Sequence, residues 1–142
     1  GQQTSSRLGL VGEMENSTVL KFLAGNSFQA PSPELLYRTA VQSGDIIGNP
    51  NLDAQQATTF ELSVARPISE VLYGAVTLFH TQVEQLIVFN FDGSNLIAQN
   101  SASSETHGVE AEIKFLWQAL DGYFNYSYQD TRRAASEFSL TW

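Results

Sequence analysis

Three glutamates and two histidines are the residues of this 142-residue chain best suited to chemistry. Glu110 and Glu112 stand two positions apart, so both carboxylates would lie on one face of a strand. With Glu61 they could form an acid–base or cation site, but a solvated polar face has the same pattern and is the interpretation we favour. His80 and His107 are the only histidines. A metal site needs three or four ligands, and these two belong to separate predicted strands, so we predict no metal site.

Motifs for enzymatic chemistry are absent from the sequence. There is no glycine-rich phosphate loop, no serine-nucleophile motif and no metal motif. The chain has no cysteine, which excludes a disulfide framework and a thiolate metal site. We therefore predict that the protein is not an enzyme, has no catalytic residues and needs no cofactor.

The composition of the chain narrows the classes of protein to which it could belong. The net charge of −8 argues against a nucleic-acid partner, because phosphate binding needs a basic surface. Charged residues make up 15% of the chain, below the usual ~25%, and aromatic residues make up 11%. This balance is typical of a sheet with one polar face, and equally of a transmembrane β-barrel. No run of about 18 apolar residues exists, so the sequence predicts no transmembrane helix.

An alternation of period two dominates the chain and predicts strands. The clearest case is residues 108–115, where apolar residues alternate with glycine, glutamate and lysine. A slip of one residue would exchange the two faces, so each register is well specified. The pattern predicts an all-β antiparallel meander of about six strands, at residues 5–14, 18–27, 57–65, 71–91, 95–117 and 122–130.

The connections alternate between short and long. Those at 15–17, 66–70 and 118–121 are short, whereas the one at 26–56 is long. The two longest strands meet at Asp92-Gly93-Ser94, a hairpin signal, and this connection counts as long when the extensions of its two strands are included. Outer-membrane barrels have short periplasmic turns and longer extracellular loops, so the long loop and the hairpin tip are predicted to lie outside the cell.

The long loop is predicted to contain a helix, and the strand 71–91 has two candidate faces. Within the long loop, residues 32–42 have an N-cap serine, a proline in the first turn and helical spacing, which predicts one short helix. In the strand 71–91, one phase runs from Leu72 through Leu78 and His80 to Glu84. Its polar end suggests that this phase faces the lumen of a barrel, although Leu78 fits poorly.

An ordered series of short motifs extends from about residue 7 to residue 129. The series is Gly25 with Phe28-Gln29-Ala30-Pro31-Ser32 and Glu34-Leu35, Gly48-Asn49-Pro50-Asn51-Leu52, Glu61-Leu62, Leu78-Phe79 with Leu86-Ile87, Asn100, Thr106-His107-Gly108-Val109-Glu110, and Gly122-Tyr123-Phe124-Asn125-Tyr126-Ser127-Tyr128. In this order and spacing it resembles the outer barrel of a TonB-dependent receptor. This chain departs from the usual family pattern at two places, which bear on the subfamily and not on the family. Gln29 stands where the family usually has Arg, and Ala54-Gln55 stands where it usually has Pro-Glu.

The resemblance implies a segment of a 22-stranded transmembrane β-barrel in the bacterial outer membrane. Such receptors import scarce nutrients, namely ferric siderophores, cobalamin or glycans, and draw energy through TonB. Residues 1–142 would form a partial barrel domain from the C-terminal half, without the plug domain. The implied partners are outer-membrane lipid, a small nutrient ligand and, through parts of the parent chain absent here, the TonB complex. Trp142 ends the chain where the family usually continues for several more strands, which predicts a truncated barrel.

The resemblance also implies two sets of site residues. Charged side chains facing lipid at mid-membrane cost roughly 2–4 kcal/mol, so charges on the polar face are predicted to face a watery lumen. These lumen-facing residues are Lys21, Glu61, Glu110, Glu112 and Lys114. In the outer loop, Tyr37, Arg38 and Asp45 are predicted to contact substrate, because loops on a rigid scaffold carry binding.

Two glycines are predicted to have backbone roles. Gly48, in the Gly-Asn-Pro run that closes the long loop, is free to take a positive φ. Gly108 is expected to permit a bend or bulge in its strand.

Tyr and Trp residues near strand ends, among them Trp117 and Tyr123, are expected to form an aromatic girdle at the membrane interface.

A second class of protein stays open from the residues alone. A secreted all-β binding module, such as an adhesin or a carbohydrate-binding sandwich, would also explain the alternation, the acidity and the aromatic residues. Four apolar side chains discriminate between the two: Ile113, Phe115, Phe124 and Tyr126. In a sandwich they would be buried between two sheets, whereas in a barrel they would form a continuous outward belt.

Overall fold

The computed structural model describes residues 3–135, with the backbone alone for Ala135. These residues form seven strands, one 3₁₀ turn and one short α-helix. The elements in chain order are β1 (Arg7–Met14), the 3₁₀ turn (Glu15–Ser17), β2 (Thr18–Gln29), α1 (Pro33–Tyr37), β3 (Ile46–Ile47), β4 (Gln55–Ser69), β5 (Leu72–Phe91), β6 (Leu96–Trp117) and β7 (Leu120–Ala135).

The six long strands form an antiparallel meander, as the alternation predicts. The sheet runs β1-β2-β4-β5-β6, and β7 pairs with β6. Strands β1 and β7 lie at the edges of the described sheet, which is open. The one parallel pair is β3 with β6, where Ile46 and Ile47 lie beside Leu96 and Ile97.

Several elements differ in length from the predictions. Strand β4 continues to Ser69 and carries a register shift between Pro67 and Ser69 against β5. Strand β7 also extends further than expected in both directions. The helix α1 is shorter than the predicted segment 32–42: Ser32 caps it by accepting a hydrogen bond from the Leu35 N–H, and it ends at Tyr37. The sequence contains no alternation that could reveal the two-residue β3.

As predicted, the β1–β2, β4–β5 and β6–β7 connections are short and the β2–β4 connection is long, and a tight turn joins the two longest strands. Asn16 and Ser17 make the turn between β1 and β2 with φ of 58° and 55°. The connection between β2 and β4 holds α1 and β3. At the hairpin tip, Gly93 has a φ of 98°, and the Asp92 carboxylate accepts hydrogen bonds from the backbone N–H groups of Ser94 and Asn95.

Polar and apolar residues segregate to opposite faces of the sheet, but the usual relation to exposure is inverted. In β4, Thr59, Glu61 and Ser63 are half-buried, whereas Phe60 and Leu62 between them are exposed. Within residues 3–135, only Leu52 and Ala98 are buried hydrophobic residues, so the sheet has no conventional apolar core. We call the two sides the polar face and the apolar face.

The register corrects the prediction for β5. Leu78 pairs with Leu62 on one side and Val109 on the other, so the phase containing Leu78 and His80 belongs to the apolar face. The opposite phase, with Thr77 and Phe79, shares the face that carries the glutamates. The prediction was wrong because the polar end of the Leu78 phase lies beyond the apolar stretch, where polarity no longer distinguishes the two faces.

Both glycine predictions also need correction. Gly48 has no positive φ; it is required because a Cβ there would lie 2.7 Å from the backbone nitrogen of Tyr37. Gly108 lies in a regular part of the ladder, opposite Phe79, with no bulge. A Cβ at Gly108 would lie 2.6 Å from the Phe79 ring, so this glycine makes room for an aromatic side chain.

Candidate functional site

All five charged residues predicted to face a lumen lie on the polar face. One cross-strand row places Lys21 beside Ser63, Ser63 beside Thr77, and Thr77 beside Glu110. The next row places Glu61 beside Phe79. Glu112 and Lys114 follow Glu110 at steps of two along β6, which keeps all three on one face.

Ion pairing on this face is uneven. The Lys114 ammonium lies 2.9 Å from a Glu112 carboxylate oxygen and 5.9 Å from the centre of the Tyr73 ring. Among residues 3–135, Lys21, Glu61 and Glu110 make no ion pair within 4 Å. The polar face therefore offers free charges of both signs to whatever covers it.

Hydroxyl groups reinforce the polar face between neighbouring strands. The Thr77 hydroxyl donates to Ser63 Oγ at 3.0 Å, and the Oγ1 atoms of Thr59 and Thr81 are 3.1 Å apart. The Oγ1 atoms of Thr106 and Thr131 are 3.0 Å apart. Each bond satisfies side chains of two adjacent strands, and such pairs stabilise a sheet modestly.

The apolar face forms a continuous outward belt. Its cross-strand row from Leu10 passes through Phe22, Leu62, Leu78 and Val109. The four discriminating side chains are exposed: Ile113 by 41%, Phe115 by 38%, Phe124 by 62% and Tyr126 by 53%. Within the described residues there is one sheet, and nothing in it covers this face. The arrangement is that of a barrel wall and not of a sandwich.

The three predicted substrate residues lie in the outer loop with different degrees of freedom. Tyr37, at the end of α1, is 73% exposed. The Arg38 guanidinium is paired with the Glu34 carboxylate one helical turn earlier. The Asp45 carboxylate accepts hydrogen bonds from the backbone N–H groups of Val41 at 2.9 Å and Gln42 at 3.2 Å. Asp45 thus organises the loop, while the Tyr37 side chain is left exposed.

Backbone donors lower the pKa of two loop carboxyls. The N–H of Val41, followed by that of Gln42, holds the pKa of Asp45 below its ordinary value of 3.8. At the hairpin tip the N–H of Asn95, followed by that of Ser94, does the same for the pKa of Asp92. In both cases the N–H groups stabilise the charged form.

The structure brings together two histidines that are distant in the sequence. His80 and His107 lie directly opposite each other in β5 and β6, on the apolar face. Each has a carboxylate 3.9 Å away, Glu105 beside His80 and Asp130 beside His107. Only the strand register could have revealed this pairing. Across residues 3–135, no three His, Cys, Asp or Glu side chains are placed to hold a metal ion together.

The long loop is tied to the β5–β6 hairpin by two asparagines. Asn49 donates from Nδ2 to the Ala98 carbonyl at 2.9 Å. Asn100 exchanges two hydrogen bonds with the backbone of Asp53, at 2.8 and 3.1 Å, and donates to the Gln85 carbonyl at 2.7 Å. Both asparagines stand in the ordered motif series, but their types and spacing alone gave no sign of what they contact.

An open sheet with an exposed apolar face and a polar face of paired hydroxyls and charges defines the wall of a transmembrane β-barrel. The family model described as TonB dependent receptor-like, beta-barrel, matches residues 1–140. The chain therefore belongs to the TonB-dependent receptor β-barrel family, whose members reside in the bacterial outer membrane. In the part of the chain that the structure describes, no helix is long and apolar enough to cross a membrane.

Solved structures with the same fold are distant in sequence. The siderophore receptor PirA from Pseudomonas aeruginosa matches with a TM-score of 0.73 and 20% identity, over 89% of this chain and 25% of that one. The FrpB iron transporter from Neisseria meningitidis (F3-3 variant) matches at 0.71 and 13%, over 91% and 20%. The copper transporter OprC matches at 0.63 and 14%, over 89% and 20%. This chain thus spans a quarter or less of the length of these structures. No curated protein matches it.

Proposed function

We propose that this chain forms part of the barrel wall of an outer-membrane receptor that imports a scarce nutrient with energy supplied through TonB. The observation that carries the proposal is the inverted exposure of the sheet, with Phe60 and Leu62 exposed and Glu61 half-buried between them. In this role the polar face lines the lumen and the apolar face contacts lipid. The family match supports the same arrangement.

Strand length supports the membrane placement. About 9–11 residues of a tilted strand cross the bilayer, whereas β5 has 20 residues and β6 has 22. In β6, every second residue from Val109 to Trp117 is apolar. Before Val109, in the direction of the hairpin tip, the same phase continues with the polar residues His107 and Glu105. The hairpin therefore extends well beyond the lipid, and its tip at Asp92 stands on the outside with the long loop.

The charged residues of the polar face have a lumenal role in this proposal. Lys21, Glu61, Glu110, Glu112 and Lys114 keep their charges in water, because the same groups facing lipid would each cost up to roughly 2–4 kcal/mol. The chain does no covalent chemistry and acts as a wall and a ligand-contacting surface. TonB would act through parts of the parent receptor outside residues 1–142.

The ligand is proposed to be a small nutrient of the ferric siderophore, cobalamin or glycan class, first met by the outer loop. The structures with the same fold are a siderophore receptor, an iron transporter and a copper transporter, which supports the metal-bearing members of this range. Tyr37 is the proposed contact residue, since it is 73% exposed at the end of an ordered helix. Arg38 follows Tyr37 directly, and Asp45 lies further along the same loop.

The test is uptake of labelled ligand by cells that carry the intact receptor as their only route. One ferric siderophore, one cobalamin and one oligosaccharide are compared, with and without TonB. TonB-dependent uptake of one class is expected, and Tyr37→Ala should reduce it, whereas Val41→Ala should not, although Val41 is 91% exposed in the same loop. The same loss from both variants would remove Tyr37 from the site. No TonB-dependent uptake or binding of any class would overturn the proposal.

A further inference from the structure

Asn49 joins the helix α1 directly to strand β6 by hydrogen bonds to Leu35 and Ala98. Its backbone N–H donates to the Leu35 carbonyl at 2.8 Å, and the preceding N–H of Gly48 donates to the Arg38 carbonyl at 2.7 Å. These two bonds hold the C-terminal end of α1. The absence of a side chain at Gly48 permits the close approach, since a Cβ would lie 2.7 Å from the Tyr37 nitrogen.

The side chain of Asn49 makes the connection to the sheet. Its Nδ2 donates to the carbonyl of Ala98, a residue that is fully buried beneath the loop. Its Oδ1 accepts from the Asn51 N–H at 3.0 Å, and its carbonyl accepts from the Leu52 N–H at 3.3 Å. Because Asn49 is half-buried, water replaces these bonds less readily than on an open surface.

Further bonds along the same loop converge on the same hairpin. The N–H of Gly44 donates to the Ser94 carbonyl at 2.7 Å, and the N–H of Leu96 donates to the Asp45 carbonyl at 2.9 Å. Beyond Asn49, Asn100 holds both backbone groups of Asp53. The loop is therefore fixed to the hairpin from residue 44 to residue 53, and Asn49 is where α1 enters this network.

We propose that Asn49 is a positioning residue for the outer ligand site, fixing Tyr37 and Arg38 relative to β6 before any ligand arrives. The site is then preformed, and ligand binding does not have to order the loop, which lowers the entropic cost of association. This inference rests on the proposed receptor function. It adds that the hydrogen bonds of Asn49 hold the site in place.

The first measurement is hydrogen exchange of the intact receptor in detergent, without ligand. Asn49→Asp keeps an oxygen for the Asn51 N–H but replaces the amide that donates to Ala98. Its expected effect is about tenfold faster exchange over residues 44–53, with the exchange of β4, β5 and β7 unchanged. Asn51→Asp is the matched control, because it adds the same charge in the same loop and the Asn51 side chain is exposed. Equal exchange in the two variants would overturn the inference.

The second measurement is the affinity of the ligand that the uptake test identifies. Asn49→Asp should raise its Kd about tenfold while the unfolding midpoint of the barrel stays that of the wild type. A loosened loop with unchanged Kd would overturn the positioning role and leave the receptor function standing. A wild-type receptor that binds no ligand would overturn the proposed function, while the exchange result would still report on the loop. If Asn49→Asp does not assemble, Asn49→Ser removes the Ala98 bond without adding charge and is measured in the same way.

Discussion

The ring of Phe79 lies over Gly108, its direct partner across β5 and β6 on the polar face. A Cβ at Gly108 would lie 2.6 Å from Cζ and 2.9 Å from Cε1 of that ring, and it would also meet the backbone carbonyl of Tyr128. The glycine thus makes room for a large aromatic side chain within a polar surface, and Glu61 pairs with Phe79 on its other side.

Gly108→Ala should destabilise the barrel by about 1–3 kcal/mol, because the Phe79 ring and the β7 backbone cannot both move away from an added methyl group. The measurement is urea unfolding of the intact receptor in detergent. Gly12→Ala is the control, since a Cβ at Gly12 meets nothing within 4 Å. Equal stability of the two variants would show that the Phe79 contact does not constrain the sheet.

The order of the outer loop should depend on pH through Asp45. Backbone N–H groups of Val41 and Gln42 hold the pKa of Asp45 below 3.8 in the folded loop, so its carboxylate stabilises the loop at pH values above 3.8. This stabilisation is lost as the pH falls through the lowered folded-state pKa. Hydrogen exchange of the Val41 and Gln42 amides, corrected for the intrinsic rate, should show the loss of protection.

Asp45→Asn supplies the control for this pH dependence. An amide at position 45 does not titrate, so the protection of the Val41 amide in this variant should be independent of pH over the same range. If the wild-type loop also shows no change between neutral pH and pH values below 3.8, the Asp45 carboxylate does not hold the loop.

Ile113→Arg should reduce the amount of receptor assembled in the outer membrane, because it places a charge on the apolar face at a cost of up to roughly 2–4 kcal/mol. Glu112→Gln, one residue away on the polar face, should assemble as the wild type does. Assembly is measured as the heat-resistant folded fraction in isolated membranes. If the two variants assemble equally, the assignment of faces in β6 fails.

Much of the fold follows from the sequence because the alternation is repeated in every long strand. The faces of residues 108–115 are clear since four apolar residues alternate with three charged ones and a glycine. The ends of the strands are less clear, because pairing with a neighbour extends a strand beyond its alternating part. In this way β4 continues past Pro67 to Ser69, and two residues, Ile46 and Ile47, become a strand by pairing with β6.

The contents of the candidate site were predictable only in part. The common face of Glu110 and Glu112 follows from their spacing. The pairing of His80 with His107 instead depends on the register of β5 against β6, and these two residues are 27 positions apart in the sequence. The phase of β5 was mistaken because the polar residues beyond the apolar stretch resemble those of the polar face. Asn49 and Asn100 stand in the motif series, but their contacts with Ala98 and Asp53 join residues 49 and 47 positions apart, so they could not be inferred. Trp142 lies outside the described residues.

The central claim is that the apolar face contacts lipid and the polar face contacts water. It is tested most directly by nitroxide spin labels at Thr77→Cys and Leu78→Cys in the reconstituted receptor, since this chain has no cysteine of its own. The account predicts that the label at 78 is reached by oxygen and shielded from a water-soluble nickel complex. The label at 77 should be shielded from lipid-dissolved oxygen. Equal accessibility at the two positions, or the reverse pattern, would contradict it.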